Sequence, residues 1–238
     1  MKSELHTAQE RGHENHGWLT TYHNFSFATY FNPAREQFGC LRALNDDTLA
    51  GGIGFDLHQH SNMEIITIVL NGAIEHADSL GNIQLISEGE IQVMTAGTGI
   101  YHTEFNHSET ESAQFLQLWI FPRDKGLKPR YDQISFDDRA KPGKLVKLVT
   151  PDIKQQDEAL WIHQDAFISV INLSEATNYC YQVSQMGNGV FVFVLGGEIS
   201  IQEKNLGKRD AIAVTDTASI EIWANGFSRV LFIEVPLK

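Results

Sequence analysis

The sequence predicts an all-β protein, on three observations. Short apolar runs bounded by turn signals fill it: Glu64 to Leu70 is apolar on both faces apart from Glu64 and Thr67, and Asn71-Gly72 and Leu80-Gly81-Asn82 read as hairpin turns. The layout recurs, since VLGGEIS at Val194–Ser200 echoes VLNGAIE at Val69–Glu75, and Leu206-Gly207 echoes Leu80-Gly81. A length of 238 residues suits one large β domain or two of ordinary size. The polar, turn-rich stretch RDKGLKPRYDQISFDDRAKPGKLVKLVTPD after Phe121-Pro122 marks the connection, which predicts domains over 1–125 and 126–238.

Composition narrows the function. With 42% hydrophobic and 20% charged residues the chain reads as globular, and a net charge of −12 argues against direct nucleic-acid binding, which needs clustered Lys and Arg. MKSELHTAQERGHEN carries no apolar signal core and no apolar run approaches the length of a membrane span, so a cytoplasmic protein without a membrane segment is expected. Cys40 and Cys180 are the only cysteines, too few for a disulfide framework; Cys180 reads as a small buried hydrophobe.

Taken in order, residues 1 to 35 carry His6, His13, His16 and His23 at spacings that fit no metal template, so they read as loop and edge histidines. Trp18, Phe25, Phe27, Tyr30 and Phe31 read as packing. Asn45-Asp46-Asp47 and Gly51-Gly52 form a turn-rich lead into the stretch that carries the chemistry, Phe55 to Asn106. It begins with His58 and His60 and ends with His102 and Glu104, each pair at i, i+2 spacing and therefore on one face of a strand. On that phase Asp56 shares the face of His58 and His60, and Phe55 and Leu57 take the other. About three strands fit between His60 and His102.

Three imidazoles and a carboxylate leave coordination positions open on a first-row ion such as Fe(II), Mn(II), Ni(II) or Cu(II), and the stretch has no thiolate for a structural zinc. Glu64 has the phase of His58 and His60, so spacing alone leaves it open as the fourth ligand. After His107 the chain holds one histidine, His163, and no HxH or HxE, so the second unit is expected to be structural.

The set Gly54, His58, His60, Glu64, Gly72, followed by Gly89, Gly97, His102, Asn106, resembles the two motifs of the cupin superfamily. It is irregular in its turns: Thr95 stands where proline is usual, and two extra residues separate Gly97 from His102. The wording MEIITIVLNGAIEHADSLGN and MTAGTGIYHTEFN, with RGHENHGW near the start and PRYDQ after the first unit, resembles the pirin family, and within it the bacterial members with quercetin 2,3-dioxygenase activity. The resemblance implies a monomeric bicupin, two double-stranded β-helix (jelly-roll) barrels packed together, with one metal in the N-terminal barrel. It places the ligands at His58, His60, His102 and Glu104, leaves Glu64 as a supporting acid that orients a histidine, and makes His76 and His107 surface or supporting groups. It implies one divalent ion, Fe(II) first, with Mn, Ni, Cu or Zn as alternatives. A small phenolic flavonol and O₂ would be substrates, with ring cleavage and release of carbon monoxide, and Glu104 would accept the substrate's hydroxyl proton. Gln59 and Ser61 depart from the usual proline and basic residue, which removes a positive charge near the cavity mouth. The family also implies a second reading, a metal-dependent, redox-responsive protein partner without turnover.

Overall fold

The computed structural model describes residues 1–136, 140–151 and 159–238; of the expected connection, 137–139 and 152 lie outside the described residues. Strands make up the regular structure, with one 3₁₀ turn at Ala8–Glu10 and no α-helix among the described residues. None of its helices is long and apolar enough to cross a membrane. The expected pair of barrels is present, each a seven-stranded sheet with a four-stranded sheet facing it.

In the first barrel the larger sheet runs Arg130–Ser135, Glu90–Thr95, Glu64–Asn71, Ala113–Ile120, Leu41–Leu49, Leu19–His23, Gly12–Asn15. The smaller runs Gly54–His60, Ile100–Asn106, Ala73–Asp78, Ile83–Ser87. Four strands, rather than three, therefore lie between His60 and His102. Gly72 and Gly81 take φ of +74° and +90° at the two expected hairpin turns, a conformation that side chains with a Cβ resist.

The halves exchange strands. Lys2–His6, at the start of the chain, pairs with Ala211–Thr215 at the edge of the second barrel's larger sheet. Arg130–Ser135, beyond residue 125, pairs with Glu90–Thr95 at the matching edge of the first. Each addition covers a row of backbone groups that an edge would leave unpaired. The outer faces of the two larger sheets pack in one apolar cluster that joins Leu44, Ile66 and Leu118 to Ile168, Phe191 and Leu231. Asp46, almost fully buried, ties the halves by accepting from Arg11 (3.1 Å) and Arg209 (2.8 Å). Cys40 and Cys180 are both free; Cys180 is half-buried rather than buried, on the strand Thr177–Gln182.

The interiors of the two barrels differ in polarity. In the second barrel, Ile212, Val192 and Phe232 stand side by side on three paired strands, part of a continuous apolar core with Ile220 and Ile222. The corresponding row in the first barrel is Gln92, Thr67 and Gln117. Asn45 and His23 extend it, each in register with its neighbour. This polar row splits the interior into one apolar cluster around Val69 and Phe115 and another around Ile65 and Met94.

Candidate metal centre

His58 and His60 come from the strand Gly54–His60 and His102 from its antiparallel neighbour, where His102 stands opposite His58. A bulge interrupts the pairing: Glu104 stands opposite Phe55, one residue beyond regular register. The expected phase therefore fails below His58. Asp56 and Leu57 both face solvent, while Phe55 turns toward the cavity beside His58. Gly54 permits the approach, because a Cβ there would run into the Glu104 carbonyl.

The three imidazoles converge, with ring centroids 4.9 Å (His58–His60), 4.3 Å (His58–His102) and 5.0 Å (His60–His102) apart. Their donor nitrogens lie within 4.8 Å of one another. Hydrogen bonds select the nitrogens that face inward. His58 Nδ1 donates to the Asp56 carbonyl (2.7 Å), which leaves Nε2 with its lone pair. Behind His102, His76 Nε2 donates to Asp78 Oδ2 (3.1 Å), so His76 Nδ1 accepts from His102 Nδ1 (3.5 Å). That leaves His102 Nε2 as a lone-pair nitrogen, and it is buried with no hydrogen-bond partner among the described residues. Burial, reinforced by His102 and His58, lowers the His60 pKa to about 4. Burial, reinforced by His58 and His76, lowers that of His102 to about 3. Both are neutral at pH 7, the state a metal ligand requires. The donor set fits a divalent transition ion.

Glu104 lies one turn of the pleat from His102, and its donor oxygens group with His102 and His76 within 4.8 Å. The polar row holds it: Thr67 Oγ1 (3.3 Å) and Gln92 Nε2 (3.2 Å) donate to Oε1, and Gln117 Nε2 donates to Oε2 (2.7 Å). Three neutral donors stabilise a buried carboxylate that would otherwise lose hydration without compensation. Sequence reasoning noticed Thr67 only as an exception in an apolar strand and missed Gln92 and Gln117.

Glu64 is fully buried but turns elsewhere. Its oxygens accept from Thr95 Oγ1 (2.7 Å) and, across to the second half, from the His163 backbone N–H (3.3 Å) and ring Nδ1 (3.1 Å). Burial raises its pKa, and the Thr95 and His163 bonds oppose the rise. His76 is buried, stacked on Tyr131 with centroids 4.6 Å apart. Tyr131 belongs to PRYDQ, where Arg130 lies over the Trp161 ring of the second half. His107 is exposed and pairs with Glu75.

A cavity of about 270 Å³ opens beside the triad, reached by His58, His60, Glu104 and Gln117. Phe27 and Trp119 form an aromatic wall, centroids 4.9 Å apart, with Trp119 a further 4.9 Å from His60. His23, read as a loop or edge histidine, also lines it, as does Asp47, which with Asn45 and Asp46 lies in the middle of the strand Leu41–Leu49 rather than in the expected turn.

The chain is similar to known proteins over nearly its whole length. A family model described as Pirin matches residues 4–120, and one described as Quercetinase C-terminal cupin domain matches 148–235. The quercetin 2,3-dioxygenase of Escherichia coli (strain K12) is 41% identical over 98% of both chains. A pirin-like protein of Caulobacter vibrioides is 37% identical over 90% of both. The crystal structure of the bacterial pirin YhhW from Escherichia coli in complex with nickel(II) superposes with a TM-score of 0.92 at 38% identity, covering 99% of each chain. With both barrels matched and the histidine triad in the first, the chain belongs to the pirin family.

Proposed function

We propose that the protein is a metal-dependent quercetin 2,3-dioxygenase, cleaving flavonols with O₂ and releasing carbon monoxide. The observation that carries the reading is the convergence of His58, His60 and His102 beside a hydrogen-bonded Glu104, in a cavity with an aromatic wall. The near full-length likeness to an enzyme named for this reaction supports it.

His58, His60, His102 and Glu104 would hold the ion, for which Fe(II) is the first choice and Mn, Ni, Cu or Zn the alternatives. When bound, such an ion would supply Lewis acidity toward the flavonol hydroxyl. The remaining work belongs to the chain. Phe27 and Trp119 lay the flat ring against the wall and exclude water. Glu104 accepts the proton of the flavonol 3-hydroxyl, and Gln117, Thr67 and Gln92 hold it in the orientation that does so. His76 and Asp78 keep the His102 nitrogen turned inward.

Replacing Glu104 with Gln tests the assignment. The variant should keep its fold, since amide and carboxylate have the same shape, and should lose flavonol cleavage. Substantial activity in metal-loaded Glu104→Gln protein would remove Glu104 from the role of essential base.

A further inference from the structure

The polar row that holds Glu104 does not end there, and its far end faces the same cavity. His23 and Asp47 are both more than nine-tenths buried, and both line that cavity. His23 Nδ1 donates to Asn45 Oδ1 (2.8 Å), so the neutral ring presents Nε2 as an acceptor. That nitrogen has no hydrogen-bond partner among the described residues; Glu14 Oε1, at 4.0 Å, is out of range. Asp47 Oδ1 likewise has no partner within hydrogen-bond range among the described residues; the Thr21 hydroxyl, also unpaired, stands in register beside it. Burial pushes the Asp47 carboxyl up to about 7, the Thr21 hydroxyl beside it takes back part of the shift, and the charges of Asp46 and Glu104 add to it.

The two groups are diagonal neighbours on one sheet face, because His23 is in register with Asn45, and Asp47 follows two residues along the same strand. Such neighbours stand roughly 7–8 Å apart at Cα, a span that two hydroxyls on one ring can bridge. Buried polar groups are normally paired, and one left unpaired costs as much as a lost hydrogen bond. Here two such groups line one cavity with an aromatic wall.

We propose that His23 and Asp47 form a hydroxyl-reading subsite that selects flavonols carrying hydroxyls on the pendant ring, a catechol above all. The proposal rests on the dioxygenase reading for the identity of the ligand class. In the bound state one phenolic O–H donates to His23 Nε2, and the second hydroxyl pairs with Asp47, as donor to its carboxylate or acceptor from its acid. A ring without hydroxyls leaves both groups buried and unpaired, which is the strongest form of discrimination a polar site offers.

The test measures binding without turnover. Nickel-loaded protein is titrated anaerobically with quercetin (two pendant hydroxyls), kaempferol (one) and galangin (none), following tryptophan quenching, for the natural chain, His23→Phe and Asp47→Asn. Quercetin should bind the natural chain about tenfold or more tighter than galangin, with kaempferol between. Each variant should close most of that gap chiefly by weakening quercetin. Asp47→Asn has the shape of the original, so it carries the test if His23→Phe does not fold. Equal affinity of the natural chain for all three flavonols, or variants that keep the original ratio or weaken all three alike, would overturn the subsite. Selective binding with no carbon monoxide released in air would overturn the dioxygenase reading and keep the subsite. Equal turnover and equal binding of the three would do the reverse, and failure to bind any of them would overturn both.

Discussion

Gln117 is the residue through which the polar row acts on chemistry, so Gln117→Leu is the most informative single change. Its amide gives Glu104 Oε2 the shortest of the three bonds that reach the carboxylate, 2.7 Å. Leucine fills most of the same volume and removes that donor, leaving Thr67 and Gln92 on Oε1 alone. A hydrogen bond to a charged group contributes about 1.5–3 kcal/mol. Where that bond aims the base, its loss appears as about a 10- to 100-fold fall in turnover. The fall should lie chiefly in kcat, and KM should rise with it, because the same amide's Oε1 accepts from Trp119 Nε1 (3.1 Å) and its loss frees the aromatic wall. The assay is steady-state quercetin loss on samples matched for metal content. A kcat within about twofold of the original, at full metal content, would refute the argument that the row positions Glu104.

His76→Phe removes the acceptor that fixes the His102 tautomer and should weaken metal binding about 10- to 100-fold in a competitive chelator titration; unchanged affinity would show that His102 orients itself. Val192→Thr puts a hydroxyl into the apolar row of the second barrel and should cost about 1–3 kcal/mol in urea unfolding, with quercetin turnover of the folded protein unaltered; a loss under about 0.5 kcal/mol would contradict the dry second core. His6 is buried between Phe25 and Phe191, and burial, reinforced by Arg35, lowers its pKa to about 4. The unfolded chain therefore binds this proton more readily, so stability is complete above pH 6.5 and falls as pH drops toward 4. His6→Phe should recover on the order of 2 kcal/mol at pH 5 relative to pH 7; an unchanged pH slope would refute it.

The convergence of His58, His60 and His102 was legible because i, i+2 spacing survives any detail of strand geometry above the bulge. The phase of Phe55, Asp56 and Leu57 was not, because an extra residue in one strand leaves no mark in a single sequence. Two barrels could be read from recurring turns, yet the exchange of Lys2–His6 and Arg130–Ser135 could not, since pairing across halves depends on which edge lies open. Glutamines at 92 and 117 look like solvent-facing strand residues until the facing sheet supplies Glu104. His23 was discounted for a spacing that fits no metal template, and the structure gives it no place among the ligands. Its position in the cavity comes from register with Asn45 on the next strand, Leu41–Leu49, which no ligand spacing registers. The second barrel's apolar row was not legible, since only register puts Ile212, Val192 and Phe232 where Gln92, Thr67 and Gln117 stand in the first.

One metal site in the first barrel is proposed to cleave flavonols. The direct test is metal content and quercetin turnover on a single purified sample, mixed anaerobically and then exposed to air, following loss of flavonol absorbance and release of carbon monoxide. Close to one ion per chain is expected, with carbon monoxide in step with flavonol loss, both abolished by a chelator and restored by metal. A filled site that releases no carbon monoxide, after reconstitution with Fe, Mn, Ni and Cu in turn, would contradict it.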